Sequence, residues 1–280
     1  MVKRVLTIQD LSCIGKCSLT EVIPVLAAAG LEVAAVPTAV LSTHTQFSGV
    51  HIRDLTDDLA PIRQHFEREG FSFAGILTGY LGSIRQVDLV LDFIHSFGTG
   101  EAKVIVDPVM ADQGKLYRGF DEDFVKKMRT LCGAADVILP NVSEAALLTD
   151  LPYPGENASE AELKSLLQGL RGLGAPLCVI TGAHLDDGTI GFLGYDAEQD
   201  AYLCYGTQPV PFVSHGTGDL FAGTFTAGLL SDHSCEDALQ IASKYTSACI
   251  QATYEDPDHV NYGVNFESRI PYLLQLLGQS

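Results

Sequence analysis

Ser214-His215-Gly216-Thr217-Gly218-Asp219 runs directly into the apolar stretch Leu220–Leu230. Two glycines let a backbone approach a ligand closely. The first N–H groups of a helix are unpaired donors at the positive end of its dipole. Gly216, Thr217 and Gly218 therefore read as an anion hole suited to a phosphoryl group in transfer. Asp219, at the helix start, is placed to accept a proton from an attacking hydroxyl. Ordinary N-capping uses the same residue types, so the neighbouring clusters must decide.

Asp107-Pro108-Val109-Met110-Ala111-Asp112 follows a buried apolar run and leads into Gln113-Gly114-Lys115. Carboxylates at a strand end are typical ligands, direct or through water, of a metal on a nucleotide phosphate; a solvated turn is the alternative. Leu139-Pro140-Asn141-Val142-Ser143-Glu144 carries two compatible readings. Asn141 and Glu144 have the spacing of a helix cap, and together they form a polar pair suited to face magnesium and phosphate.

The elements that must position these groups alternate along the chain. Strands are expected at Val5–Ile8, Leu31–Pro37, Phe73–Thr78, Lys103–Val106, Asp136–Leu139 and Leu177–Thr181. Helices are expected at Leu19–Ala29, Asp54–Glu69, Ile84–Phe97, Asp121–Leu131, Ser143–Leu148 and Ser159–Leu173, the last with Ser159 and Glu162 at capping-box spacing. Thr189–Tyr195 and Ala201–Gly206 read as an antiparallel hairpin, and Gly218–Leu230, Glu236–Thr253 and Phe266–Leu277 as closing helices. This is an α/β pattern: a mostly parallel central sheet flanked by helices on both faces, with an antiparallel edge hairpin. No linker or internal repeat divides residues 1–280, so one domain is expected. In open α/β sheets ligands bind at the carboxyl ends of the strands. Gln9-Asp10, Thr43-His44-Thr45, Thr78-Gly79-Tyr80, Asp107 to Asp112, Asn141 to Glu144 and Thr181-Gly182 all fall at such ends, which predicts one site.

Of 280 residues, 46% are hydrophobic and 19% charged, a globular composition. The formal charge of −18 disfavours nucleic acid and anionic membranes as partners. An anionic ligand on such a chain must be held by metal ions, helix N-termini and backbone N–H groups. Seven cysteines form no Cys-x-x-Cys pair and read as thiols in a reducing compartment. The apolar run from Val5 meets Gln9-Asp10 too soon for a signal-peptide core, and no stretch is long enough to span a bilayer, so a cytoplasmic location is expected.

Gly216-Thr217-Gly218-Asp219 before a helix, the Asp107–Asp112 strand end and the Pro140-Asn141-x-x-Glu144 segment are similar to the ribokinase superfamily. Ser42-Thr43-His44-Thr45, Leu77-Thr78-Gly79-Tyr80-Leu81-Gly82-Ser83 and Asp107 through Tyr117 resemble pyridoxal kinases. The likeness runs from Ile8 to about Leu230. It implies a ribokinase-like fold, a homodimer, and ATP- and Mg²⁺-dependent phosphorylation of the 5′-hydroxymethyl group of a vitamin B6 vitamer. A monovalent cation such as K⁺ is left open.

By that resemblance Asp219 is the general base and Gly216, Thr217 and Gly218 the anion hole. Asp107, Asp112, Asn141 and Glu144 form the magnesium and triphosphate neighbourhood, with Asp107 and Glu144 supporting the metal. Thr181 and Gly182 lie along the nucleotide. Thr45 and Tyr80 contact the pyridine ring, with His44 beside them. Read without the resemblance, His44 is a satisfied buried polar group and Tyr80 an aromatic core residue.

Two positions depart from the pattern of pyridoxal kinases. Leu139 replaces a hydroxyl residue near the nucleotide. Asp10 replaces a small hydroxyl residue and brings a carboxylate towards the ring substituents. There it either pairs with the ammonium of pyridoxamine, favouring that vitamer, or caps the next loop through the Ser12 N–H. Competing readings are a hydroxymethylpyrimidine kinase of thiamine synthesis, a non-catalytic vitamer- or nucleotide-binding protein, and a sugar or nucleoside kinase.

Overall fold

The computed structural model describes residues 2–212, 214–260 and 262–279; Met1, Val213, Asn261 and Ser280 lie outside it. In chain order the elements are β1 (Arg4–Ser12), α1 (Leu19–Ala28), β2 (Glu32–Leu41), β3 (Ile52–Asp54), α2 (Thr56–Glu69), β4 (Gly75–Thr78) and α3 (Ile84–Phe97). There follow β5 (Lys103–Val106), β6 (Ala111–Asp112), β7 (Lys115–Leu116), α4 (Glu122–Cys132), β8 (Val137–Ile138), α5 (Val142–Thr149) and α6 (Glu160–Arg171). The chain closes with β9 (Leu177–His184), β10 (Ile190–Asp196), β11 (Ala201–Thr207), α7 (Thr217–Leu230), α8 (Cys235–Glu255) and α9 (Ile270–Leu276).

Nine strands form one sheet in the order β11-β10-β9-β8-β5-β4-β1-β2-β3. The six from β9 to β2 run parallel, and β10–β11 add the expected antiparallel hairpin at one edge. Side chains alternate strictly between two cores, as a period of two requires. Leu6, Ile8, Ile76, Val104, Val106, Ile138, Cys178 and Ile180 join the core under α2 to α6. Val5, Leu77, Ile105, Val137, Leu177 and Val179 join the core under α1, α7, α8 and α9. Residues buried on both faces explain why these strands read as continuous apolar runs.

The structure departs from the sequence expectations where polar residues are paired. β1 does not end at Ile8 but continues to Ser12, pairing with β2 through an irregularity between Gln9 and Leu11. The antiparallel edge strand β3 was not expected; it is three exposed residues long. Asp54, expected to start α2, instead accepts the Thr56 N–H at 2.7 Å. The Gly114 turn is a small hairpin, β6 with β7. The Ser159–Glu162 capping box is present as expected.

The helix that begins at Thr217 is anchored along its length, since Phe225 is completely buried in the second core. Phe225→Ala should therefore lower the unfolding free energy by about 3–5 kcal/mol, through lost transfer energy and a cavity. Ser159→Ala removes only an exposed cap and should cost about 1 kcal/mol. Urea denaturation of both variants checks the ordering.

Candidate active site

Gly216 is the N-cap of α7 and holds φ +82°, in the left-handed region. A β-carbon there would lie 2.0 Å from the Lys16 carbonyl oxygen and 3.0 Å from Glu21 Oε2, so only glycine fits between this turn and the β1–α1 loop. No side chain caps the helix end, which leaves its first amides to whatever ligand arrives. Asp219 stands in that first turn, near the Ser18 backbone, which favours its charged form. Desolvation, with Asp10 nearby, raises the Asp219 carboxyl to about 7. A carboxylate poised there is matched to proton acceptance near neutrality.

Asp107 follows β5 with its backbone N–H bonded to the Thr78 carbonyl. Its carboxylate faces the anion loop: Asp107 Oδ2 lies 3.8 Å from the β-carbon position of Gly218. Burial, then Glu144, then Asp219 push the Asp107 carboxyl well above its ordinary range.

Glu144 is used differently from a free ligand. Its Oε1 accepts from Met110 N at 3.0 Å and Ala111 N at 3.4 Å, and its Oε2 accepts from Asn141 N at 2.9 Å. Asn141 Oδ1 accepts from Glu144 N, completing the capping box read from the sequence, and Asn141 Nδ2 donates to the Ala111 carbonyl. Burial raises the Glu144 carboxyl in spite of these donors. The pair thus ties the start of α5 to the strand end that carries Asp107. Asp112 is exposed in the hairpin turn, where it accepts from Gln113 N. Asn141 bridges in parallel to Thr181, and Gly182, left-handed at φ +63°, is the extra residue where the β9–β10 register shifts.

Asp10 is 5% exposed. Its Oδ1 accepts from the Ser18 hydroxyl at 2.6 Å and its Oδ2 from the Ser12 hydroxyl at 3.1 Å. The Ser12 contact is made by the hydroxyl, not by the backbone N–H that loop capping required. Desolvation raises Asp10, and the Asp10 charge contributes to raising the Tyr80 phenol. His44 is nearly buried, with Nδ1 taken by the Gln46 N–H and Nε2 by the Tyr262 carbonyl. Its ring packs against Phe47, His215 and Tyr262. It joins the β2–β3 loop, the anion loop and the C-terminal segment, and both its nitrogens are committed to backbone. Thr45 beside it is exposed.

Asp10, Asp107, Glu144 and Asp219 are thus brought to one end of the sheet, and among the described residues none of them takes part in an ion pair. Asp10, Asp107 and Glu144 are buried and Asp219 is half-buried, so their charged forms carry a desolvation cost. No group of three or more ligating side chains is assembled among the described residues. Sequence reasoning named Ser12 for its N–H rather than its hydroxyl, and missed Ser18 and Glu21, which carry no motif, and Tyr262, which enters from a distant segment.

The family profile of phosphomethylpyrimidine kinase matches residues 23–265. Over 97% or more of its length the chain is similar to two solved structures. One is a Bacteroides thetaiotaomicron protein provisionally named phosphomethylpyrimidine kinase and crystallised with pyridoxal (36% identity, TM-score 0.89, 98% of this chain and 96% of that one). The other is the pyridoxal kinase of Lactobacillus plantarum (33% identity, TM-score 0.90, 99% and 98%). The pyridoxine/pyridoxal/pyridoxamine kinase of Bordetella avium is 32% identical over 82% of this chain and 78% of its own length. A protein of Schizosaccharomyces pombe provisionally named pyridoxal kinase matches at 27% identity, and there the chain spans 58% of the relative's length.

The two loop glycines should behave oppositely on substitution. Gly216→Ala forces a β-carbon against the Lys16 carbonyl in a left-handed turn, and should lower both stability and nucleotide affinity, the latter by about tenfold or more. Gly218→Ala meets nothing closer than 3.8 Å and should leave stability close to the parent. Thermal melts and calorimetric titration with a non-hydrolysable ATP analogue check both.

Proposed function

The chain belongs to the phosphomethylpyrimidine kinase family, within the ribokinase-like superfamily, and on that premise we propose that it is a pyridoxal kinase. It transfers the γ-phosphoryl group of ATP to the 5′-hydroxymethyl group of a vitamin B6 vitamer. The observation that carries the reading is Asp219, desolvated to a carboxyl near 7 in the first turn of α7, beside an uncapped, glycine-rich helix end.

Asp219 takes the proton of the vitamer hydroxyl as its oxygen bonds to the γ-phosphorus. The bond from that phosphorus to the β,γ-bridging oxygen breaks, and ADP leaves. The amides of the Gly216-Thr217-Gly218 turn receive the charge on the transferring group. Thr181 and Gly182 line the nucleotide, with Asn141 and Asp112 near its phosphates. Asp107 is the carboxylate available to a divalent cation, whereas Glu144 supports it by charge and by fixing the 110–111 backbone. Bound there, Mg²⁺ neutralises phosphate charge. A monovalent cation such as K⁺ is compatible with the same acidic site. Tyr80, Thr45 and the His44 loop surround the ring.

We extend the proposal to residues 1–280 acting as one domain, to a homodimer, and to the cytoplasm. No helix among the described residues is long and apolar enough to cross a membrane. Hydroxymethylpyrimidine remains the competing substrate, favoured by the family profile.

Turnover of ATP with pyridoxal, pyridoxine, pyridoxamine and hydroxymethylpyrimidine in parallel tests the reading; a B6 vitamer should be phosphorylated at the highest kcat/KM. Asp219 accepts a proton only when ionised, so kcat/KM should rise with pH through about 7. Asp219→Asn should reduce kcat on the order of 10²–10⁴-fold while nucleotide binding persists. A kcat within a few-fold of the parent would reduce Asp219 to a helix cap.

Asp10 generates a selectivity prediction. Each of its oxygens accepts one hydroxyl and retains acceptor capacity, and its burial penalises an unpaired charge. The ammonium of pyridoxamine supplies the missing partner; an aldehyde does not. Charge-assisted bonds contribute about 1.5–3 kcal/mol, so pyridoxamine should be preferred about ten- to hundred-fold. Asp10→Ser should flatten that ratio, and kcat/KM for the three vitamers measures it. An unchanged ratio of pyridoxamine to pyridoxal would remove Asp10 from selectivity.

A further inference from the structure

Glu21 lies in the first turn of α1, is completely buried, and has no hydrogen-bond partner among the described residues at either carboxyl oxygen. Helices α1 and α7 pack side by side, with Val22 against Gly223 at 3.4 Å from its β-carbon position. Their N-termini therefore meet, and Glu21 Oε2 lies 3.0 Å from the β-carbon position of Gly216, directly against the anion loop. Two carboxylates, one lysine, two thiols and a phenol face it. Asp219 approaches from α7, Glu267 from the C-terminal turn, Cys17 and Lys16 from the β1–α1 loop, and Tyr245 and Cys249 from α8. Lys16 offsets it only in part, because its ammonium is bound to Asn265 at 3.1 Å and Glu267 at 2.8 Å. An ionised carboxylate so placed would carry its full desolvation cost beside another carboxylate.

We propose that Glu21 is a positioning residue for the anion hole: its uncharged carboxyl packs beneath Gly216, supports the left-handed turn that presents the α7 amides, and keeps a second negative charge away from Asp219. The positioning role rests on the kinase reading above, whereas the uncharged state does not. Burial, then Asp219 and Glu267, hold the Glu21 carboxyl well above its ordinary range, in keeping with this geometry. The sign follows from proton counting. The folded chain binds a proton that the unfolded chain releases above the ordinary glutamate range, so this residue destabilises the fold increasingly as pH rises, up to its folded value. Past that value the carboxylate forms beneath the loop and opposes an incoming phosphate.

Three measurements on the parent, Glu21→Gln and Glu21→Ala, from about pH 6 to about pH 9, test this. They are urea unfolding, binding of a non-hydrolysable ATP analogue, and vitamer turnover. Relative to Glu21→Gln, the parent's unfolding constant should rise with pH, by up to about tenfold per unit. Towards the alkaline end the analogue affinity of the parent should fall about tenfold further than that of Glu21→Gln, in which Asp219 still titrates. Glu21→Ala, which loses the support, should raise KM for ATP more than it lowers kcat, and the isosteric Gln should restore KM. Identical unfolding slopes in parent and Glu21→Gln would overturn the uncharged state, and with it the proposal. Distinct slopes with superimposable affinity profiles would overturn the positioning role. Absence of vitamer turnover with the expected analogue profiles would sink the substrate reading and leave this inference standing.

Discussion

Negative charge gathered at the carboxyl end of a parallel sheet, with no ion pair to balance it among the described residues, is the constraint around which the site is built. Asp10, Asp107, Glu144 and Asp219 come from β1, the end of β5, α5 and α7, yet each is desolvated and acts on a neighbour. Such an assembly is tolerable for two reasons. Protons occupy part of it near neutrality, and the ends of α1, α5 and α7 supply N–H donors and positive dipole ends. A chain with a formal charge of −18 holds an anionic nucleotide only through such local features, never through its bulk field.

The scaffold that holds the carboxylates is itself polar and short-range. Glu144 and Asn141 lock α5 to residues 110 and 111, and the Asn141–Thr181 bridge carries the order on to β9. Ser18 serves both sides of the site, its hydroxyl on Asp10 and its backbone near Asp219, from a strained positive-φ conformation at φ 48°. Backbone strain of that kind persists where the surroundings over-determine it, as they do here.

Much of this was legible in the sequence. The alternation of apolar runs fixed the sheet and its edge hairpin, and the glycine motif before Leu220, the Asp107–Asp112 run and the Asn141–Glu144 spacing all lie at one end of it. Other features were hidden for identifiable reasons. β3 is too short to show a period. Glu21 sits in an otherwise apolar helix, where nothing local distinguishes a buried acid from an exposed one. One of the two committed nitrogens of His44, Nε2, depends on Tyr262, more than two hundred residues away. Asp10 was read as a carboxylate at a strand end, but its hydroxyl partners Ser12 and Ser18 could be assigned only once the loop was folded.

The central claim is that the site's carboxylates are desolvated and, among the described residues, without an ion-pair partner. Carbon-13 NMR titration of the aspartate and glutamate carboxyls in the ligand-free protein tests it most directly. The account predicts that Asp219 titrates near 7, that Asp107 titrates well above the ordinary aspartate range, and that adding Mg²⁺ moves Asp107 downward. If both titrate at about 4, as solvated aspartates do, and ignore Mg²⁺, the account is contradicted.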